Sequence, residues 1–478
     1  MNIQDAKGIT GMNEAEEVLT RQRKAFILAG PPSLADRRRD IEKLRDAIRS
    51  DAEAFAEAIC ADFGCRPRQE TLLAEIWPIL AAARHTLNNL GGWMRPKSVG
   101  VGLELLPGRA RVQCQPVGVV GIISPWNYPV QLALMPLLAA LAAGNRIMLK
   151  PSELTPKTSA LLAQFLSGLF PEEQAAVVLG GAEIGSGFAG LPFDHLLFTG
   201  STAVGRRVMQ AAAPNLTPVT LELGGKSPCI VAGDADMAKA SASIAGGKLL
   251  NAGQTCIAPD YVFVPKDRCE EFLALYRSAA QKLYPSLDGN ADYTSIVSET
   301  HYNRLMRMID EARSRGARVE EIAPAGQAPS ASGRKVAPTL VVDPDDDLAL
   351  MRDEIFGPVL PVKTYGAIEE AIAYVNAHPR PLALYYFGRN AENRDLVLAR
   401  TTSGGVTVND TLMHIVVENL PFGGVGASGM GAYHGEDGFR TFSHRKGIFL
   451  QSRLNSRSLL APPYGRVFET MLKFLLRR

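Results

Sequence analysis

A chain of 478 residues exceeds what one simple core holds, and its length points to roughly three domains or lobes. Hydrophobic residues make up 46% and charged residues 21%, the balance of an ordinary globular protein with ample core material. Lys and Arg (51) nearly match Asp and Glu (49), so no global field attracts nucleic acid or an anionic membrane.

The first hundred residues read as amphipathic helices. After Pro31-Pro32, Ser33 is placed to cap a helix whose Leu34, Ile41, Leu44, Ile48, Phe55 and Ile59 share one stripe. The charges Arg37, Arg38, Arg39, Asp40 and Glu42 lie off that stripe and read as a solvated face. A second helix is predicted over 70–90, with Leu73, Ile76, Leu80, Ala83 and Leu87 at helical spacing. Residues 109–115 alternate like a strand and predict an arm outside the main sheet.

From Val117 the texture becomes α/β. Strands are predicted over 117–123, 146–150, 176–179 and 195–198, with helices over 129–143, 155–169 and up to 213 between and after them. Such alternation implies a parallel, doubly wound sheet that takes ligands at the carboxyl ends of its strands. The 14-residue apolar run Val130–Ala143 is too short to cross a bilayer and reads as a buried helix. Val219-Thr220 then leads into Glu222, and Gly224-Gly225 ends that strand. An Ala-rich helix follows over 234–250, with Asp234 as its expected N-cap, and Gly253 lets the chain turn at Cys256. The α/β texture resumes with strands near 261–264, 338–342, 359–363 and 384–387 and helices near 266–284 and 298–316.

Residues 321–335 read as a surface loop, and Asp343–Asp347 as a solvated turn. The seven histidines form no ligand cluster, so no metal is expected. Six cysteines without a CxxC pair (Cys60, Cys65, Cys114, Cys229, Cys256 and Cys269), and no recognisable signal peptide, predict free thiols in a reducing cytoplasm. Beyond Pro462-Pro463, Phe468, Met471, Leu472 and Leu475 form a helical stripe beside Lys473, Arg477 and Arg478. This tail is expected to pack on the body or on a partner subunit, with a membrane surface as the alternative.

Several short motifs carry chemistry, each with a plainer alternative. Cys256 is a nucleophile or a small buried hydrophobe; Glu222 is a general base or a strand-end surface charge. Phe198-Thr199-Gly200-Ser201-Thr202-Ala203-Val204-Gly205 is a phosphate-receiving strand–helix turn or simply a tight turn, and it is not GxGxxG. Lys150-Pro151-Ser152-Glu153 is suited to ribose hydroxyls or to a helix start. Pro125-Trp126-Asn127-Tyr128-Pro129 presents an oxyanion-binding amide or an Asn-Pro type turn. Glu354-Ile355-Phe356-Gly357-Pro358 and the Gly-dense stretch 421–431 offer further turns.

Jointly, with Glu222 and Cys256 34 residues apart, these motifs resemble the aldehyde dehydrogenase superfamily from about residue 20 to about residue 450. Leu420-Pro421-Phe422-Gly423-Gly424 and Gly431-Ala432-Tyr433-His434-Gly435 resemble its class 3 branch, and within that the bacterial coniferyl aldehyde dehydrogenases. The resemblance implies two doubly wound, Rossmann-like parallel-sheet lobes plus a small β oligomerisation arm. It assigns 1–108 and 124–221 to an NAD-binding domain, with 418–436 returning near it, and 222–417 to a catalytic domain. Residues 109–123 and 437–455 become the arm, and 456–478 the tail. It implies Cys256 as nucleophile, Glu222 as base and Asn127 as oxyanion donor beside the Cys256 N–H. Trp126, Lys150, Glu153, Gly200, Ser201, Val204, Gly205, Glu354 and Phe356 are implied to hold NAD, preferred over NADP because Glu153 repels a 2′-phosphate. The Cys256 thiol is expected to need cationic or dipolar help to ionise. The implied reaction oxidises coniferyl aldehyde to ferulate in a homodimer, with aliphatic or benzaldehyde-type aldehydes as alternatives. A CoA-acylating relative, a cofactor-free cysteine acyl hydrolase and a non-catalytic protein are the rival readings.

Overall fold

Runs that are apolar on both faces need cover on both sides, and they assemble here into parallel sheets sandwiched by helices. The computed structural model describes residues 8–322, 333–454 and 461–476. One sheet has six strands in the order Gly429–Met430, Val219–Leu223, His195–Gly200, Val119–Ile123, Arg146–Lys150, Ala175–Val177. All its neighbours are parallel except the short Gly429–Met430 strand, which returns antiparallel to Val219–Leu223. Its helix Gln131–Ala143 is buried at every position, which explains a sequence without a polar face.

The second sheet has seven strands: Arg318–Glu321, Thr339–Val342, Val359–Tyr365, Tyr261–Pro265, Pro228–Val231, Ala383–Phe387 and Gly405–Val408. Only its first strand is antiparallel. A third, antiparallel sheet joins Lys97–Val99, Arg109–Pro116 and Ser443–Leu450. The arm expected over 109–123 therefore ends at Pro116. Val119–Ile123 is a strand of the six-stranded sheet, because its residues up to Ile122 are buried whereas the arm strand alternates. Lys97–Val99, assigned to the NAD-binding domain, joins the arm instead.

Local details depart from the sequence reading for identifiable reasons. Ser33 does cap its helix, in a reciprocal box with Asp36. That helix stops at Ser50 and a new one runs Ala52–Phe63, so the single stripe is shared by two helices. Arg37 is buried rather than solvated; its guanidinium donates to the Pro32 and Ala142 carbonyls at 3.0 and 2.9 Å. The N-cap of helix Met237–Leu249 is Asp236, whereas Asp234 accepts the N–H groups of Arg389 and Asn390. The predicted helix over 70–90 begins as Arg68–Thr71, passes through a π turn at Leu72–Ile76 and continues as Trp77–Trp93.

The tail helix Arg466–Leu476 has no buried residue, so packing onto its own body does not enclose the Phe468–Leu475 stripe. Arg477 and Arg478, and most of the loop expected over 321–335, lie outside the described residues. Among the described residues no helix is long and apolar enough to cross a membrane, and no acidic, histidine or cysteine cluster is arranged to hold a metal ion.

Candidate active site

Strand ends of the two large sheets line one cavity. The six-stranded sheet contributes the carboxyl ends of its strands: Ser124–Asn127 after Ile123, the Gly200-Ser201 turn, and Glu222. The seven-stranded sheet contributes the loops that enter its strands, namely those before Pro228, Tyr261 and Val359. A cavity of about 260 Å³ lies between them. Trp126, Asn127, Gly200, Ser201, Glu222, Cys256, Glu354 and Phe356 all line it. Lys150, Glu153, Val204 and Gly205 are not among its lining residues.

Cys256 is presented by an unusual turn. Helix Met237–Leu249 ends, and Asn251, Ala252 and Gly253 then take positive φ of 51°, 51° and 76°. Side-chain residues resist that conformation, so something must hold it. The Asn251 amide donates to the carbonyls of Asn127 (3.0 Å) and Gln254 (3.1 Å). Gln254 in turn donates to the Asn251 and Ser295 carbonyls and accepts the Val297 N–H. Gly253 is required by space as well as by φ, since a Cβ there would lie 2.3 Å from the Gly357 carbonyl oxygen. Asn127 is 3% exposed, and its Nδ2 donates to the Gln254 carbonyl at 3.2 Å. An amide NH₂ has two donors, so one remains to face the cavity beside the thiol.

Burial and the charges of Glu222 and Glu354 push the Cys256 thiol well above its usual range, and of the expected cationic or dipolar help only the dipole of the Cys256 N–H opposes them. Glu222, 1% exposed, is raised to about 8 by burial and then by the Glu354 charge, with the nearby thiol opposing. Glu354 is likewise raised to about 8, by burial and by Asp260. Neither Glu222 oxygen has a hydrogen-bond partner among the described residues. Glu222 is therefore a buried carboxyl, not a strand-end surface charge. Burial favours the protonated form of both groups, a thiol beside a carboxyl.

The cofactor-side residues divide into two kinds. Ser201 caps helix Thr202–Ala212, accepting the Val204 N–H at 3.4 Å. Gly205 serves packing, since a Cβ there would meet Leu223 at 2.7 Å. Lys150 is enclosed; its Nζ donates to the Pro151 carbonyl (3.0 Å) and to Glu153 (3.1 Å), whose side chain is 45% exposed. Gly224 leaves room for Glu354, whose carboxylate oxygen would be 2.2 Å from a Cβ there. Phe356, at φ 50°, stands edge-on to Trp126 with ring centroids 5.4 Å apart. Thr199 lines the cavity with a buried hydroxyl that has no partner among the described residues. Together with the first turn of the Ser201-capped helix, this orphan donor fits a polar, phosphate-bearing group.

Residues 9–448 match the description "Aldehyde dehydrogenase family". The chain belongs to this family. The coniferyl aldehyde dehydrogenase of Pseudomonas sp. strain HR199 is 48% identical over 98% of this chain and 97% of its own. The substrate-bound state of Staphylococcus aureus AldH superposes with a TM-score of 0.91 at 37% identity, covering 96% of this chain and 99% of that one. PnpE in complex with nicotinamide adenine dinucleotide aligns with a TM-score of 0.85 at 26% identity over 94% of this chain and 91% of that one. The protein is thus an oxidoreductase acting on aldehydes, of a family that uses NAD or NADP.

This aldehyde dehydrogenase has a second cavity, of about 320 Å³, on the other side of Cys256. Its walls come from Leu73–Ala81, from Tyr128–Met135 and from Leu412–Glu418, and they are mostly apolar. The rim exposes Leu73, Trp77, Met413 and Val416. Glu418, half-buried there, is raised to about 7 by burial alone. None of these residues reads from sequence as the wall of a cavity, because each looks like ordinary helix or loop until the fold brings them together. His301 and Arg304 were missed for the same reason. They line the cofactor-side cavity, and Arg304 donates to the Glu354 and Ile355 carbonyls at 3.2 and 2.5 Å. A Ser298 N-cap was their only local signal.

Proposed function

We propose that the protein oxidises hydroxylated aromatic aldehydes of the coniferyl aldehyde type to carboxylic acids, with NAD preferred over NADP. The observation that carries this reading is the position of Cys256 on the shared wall of two cavities, one polar with Glu222 and one apolar. An aldehyde entering by the apolar side meets the thiol first. Glu222, when ionised, takes the thiol proton and Sγ adds to the carbonyl carbon. The carbonyl oxygen becomes an oxyanion held by the Asn127 amide and the Cys256 N–H. NAD, when bound, supplies the acceptor for the hydride whose loss converts the thiohemiacetal into a thioester. Glu222 first passes the proton it took from the thiol to solvent and is ionised again; it then takes a proton from water, the resulting hydroxide adds to the thioester, and the Cys256 thiolate departs as the acid forms. Lys150 and Glu153 would hold ribose hydroxyls, the Gly200–Gly205 turn with Ser201 and Val204 the pyrophosphate, and Glu354, Phe356 and Trp126 the nicotinamide end.

An apolar channel with Trp77 at its rim and one carboxyl on its wall suits an aromatic ring with a polar end. Burial raises the Glu418 carboxyl to about 7, so its neutral form is within reach near neutral pH and can donate to a phenolic or methoxy oxygen. The wild-type enzyme is expected to favour 4-hydroxycinnamaldehyde over cinnamaldehyde in kcat/KM. Glu418→Leu should erase most of that preference, a change of about fivefold for one hydrogen bond. A ratio unchanged by the substitution would remove Glu418 from recognition, and equal or better rates with medium-chain aliphatic aldehydes would sink the aromatic assignment.

NAD preference rests on the Glu153 charge beside the expected ribose. Glu153→Gln should narrow the NAD-to-NADP ratio of kcat/KM by roughly tenfold, the factor that about 1.4 kcal/mol of like-charge repulsion gives. An unaltered ratio would place the discrimination elsewhere. A homodimer is supported by the arm sheet, whose edge strands Lys97–Val99 and Ser443–Leu450 lie largely exposed with Val99, Phe449 and Leu450 outward. A cytoplasmic site is supported by six free cysteines.

A further inference from the structure

Among the described residues, Arg66 is the largest side chain that the fold encloses completely. A charge so placed is costly unless well partnered, so its contacts are informative. Nη1 donates to the main-chain carbonyl of Asn127 at 2.8 Å and lies 3.1 Å from Glu75 Oε1. Nε lies 3.6 Å from Glu70 Oε1. The guanidinium sits between the rings of Tyr128 (4.8 Å) and Phe63 (5.2 Å).

Each carboxylate reaches one arm of the thiol pocket. Glu75 Oε2 accepts the N–H groups of Val130 (2.7 Å) and Gln131 (3.1 Å), just beyond Asn127. The Asn251 N–H at the start of the Cys256 turn faces Glu70 and holds its carboxyl down against the rise from burial, and the Asn251 amide returns to the Asn127 carbonyl at 3.0 Å. Hydrogen bonds and charge contacts together therefore link Arg66, Glu75, the Asn127 loop, Asn251 and Glu70 in one ring, the two Arg66–carboxylate links being ion pairs. Two local distortions are placed within it. Glu75 stands in the π turn Leu72–Ile76, whose extra residue re-aims the side chains of that helical run. Asn251 and Ala252 are held left-handed at its other end.

We propose that Arg66 is a positioning residue of the oxyanion hole, binding the main chain of Asn127 directly and that of Asn251 through Glu70. The proposal rests on the reading of the Asn127 amide and the Cys256 N–H as oxyanion donors. Arg66 touches neither substrate nor cofactor; it fixes where the two donors point. A preset hole needs no rearrangement as charge develops, which is the source of its catalytic effect.

The test compares Arg66→Met, Asn127→Ala and the double variant in full-length enzyme. Aldehyde oxidation, hydrolysis of p-nitrophenyl acetate, NAD affinity and melting temperature are measured for each. Arg66→Met should lower kcat about 100-fold, the order lost with one oxyanion donor. NAD affinity should stay within about twofold, and ester hydrolysis, which needs the hole but no hydride transfer, should fall by a similar factor. In the Asn127→Ala background the same change should cost less than about threefold, because residues acting as one unit are not additive. Arg66→Lys, which keeps the charge without the fork, should recover about tenfold of the loss. Multiplicative losses in the double variant, or a loss confined to NAD binding, would overturn the proposal. If Arg66→Met does not fold, Glu75→Gln replaces it in the same comparison, with the same non-additive loss expected and the same multiplicative loss overturning the proposal. A fully active Asn127→Ala enzyme would instead remove the oxyanion assignment itself.

Discussion

Cys256→Ala is expected to lower aldehyde turnover at least ~10⁴-fold, the order seen when a nucleophile is deleted from an otherwise intact site, while NAD still binds. The cavity explains the separation of the two effects. Cys256 forms only one part of the cofactor-side wall, whereas Glu354, Phe356 and the Gly200-Ser201 turn are independent of it. Alanine fits the Cys256 position without new contacts, and the Asn251–Gly253 turn is held by amide and main-chain bonds that the thiol does not make. NADH production would be followed at 340 nm and NAD binding by fluorescence titration. Retained turnover would refute the nucleophile, and lost NAD binding would mean that the turn had collapsed.

Glu222→Gln should separate the two halves of the reaction. The amide can take a proton neither from the thiol nor from water; the thiolate then forms by direct ionisation to solvent, so the thioester forms more slowly than in wild type and, once formed, persists. Mixing enzyme, NAD and aldehyde should give close to one NADH per site, followed by a steady rate about 10²–10³ lower than wild type. No burst, with a uniformly slow reaction, would place Glu222 in thiol activation alone. The pH dependence follows from the raised carboxyl. Only the ionised form is a base, so wild-type hydrolysis should climb towards pH about 8 and then level, and the variant should lose that limb. Stability runs the other way. Glu222 binds its proton more tightly folded than unfolded, since its folded value of about 8 exceeds the ordinary 4.5. Its contribution is complete below 4.5 and is lost as pH rises through about 8. Glu354, also raised to about 8, adds the same slope. The wild-type melting temperature should therefore fall across that window, and Glu222→Gln should flatten part of the fall. A pH-independent difference between the two proteins would contradict the buried-carboxyl account.

The secondary structure was legible where burial leaves a periodic or continuous signature. The strands at 119–123, 146–150 and 195–200 are largely apolar on both faces because helices cover both, as are those at 261–265 and 383–387. Junctions were less legible. Asp51 ends one helix and starts another within an unbroken apolar stripe, and the π turn at Leu72–Ile76 preserves helical spacing well enough to hide itself. Arg37 illustrates a third case. A single charged residue among others reads as solvated, yet its guanidinium finds two carbonyls inside the fold.

The sequence by itself determined the α/β order and membership in a family of known chemistry, and it drew together Cys256, Glu222 and Asn127 as candidates that the fold then sets around one cavity. The order of strands and helices is local, written in periodicity, glycines, prolines and caps, whereas the Cys256 turn also needs the distant Asn127, Ser295 and Val297 contacts that hold it. Tertiary structure alone decided the rest. It placed the second lobe's loops at the amino ends of its strands against the carboxyl ends of the first, and so brought Glu354 close enough to raise both Glu222 and Cys256. It also built the apolar channel from Leu73–Ala81 and Leu412–Glu418, and assembled the ring of contacts through Arg66 behind Asn127. Electrostatic coupling and enclosure depend on distance in space, and spacing along the chain carries no record of that distance.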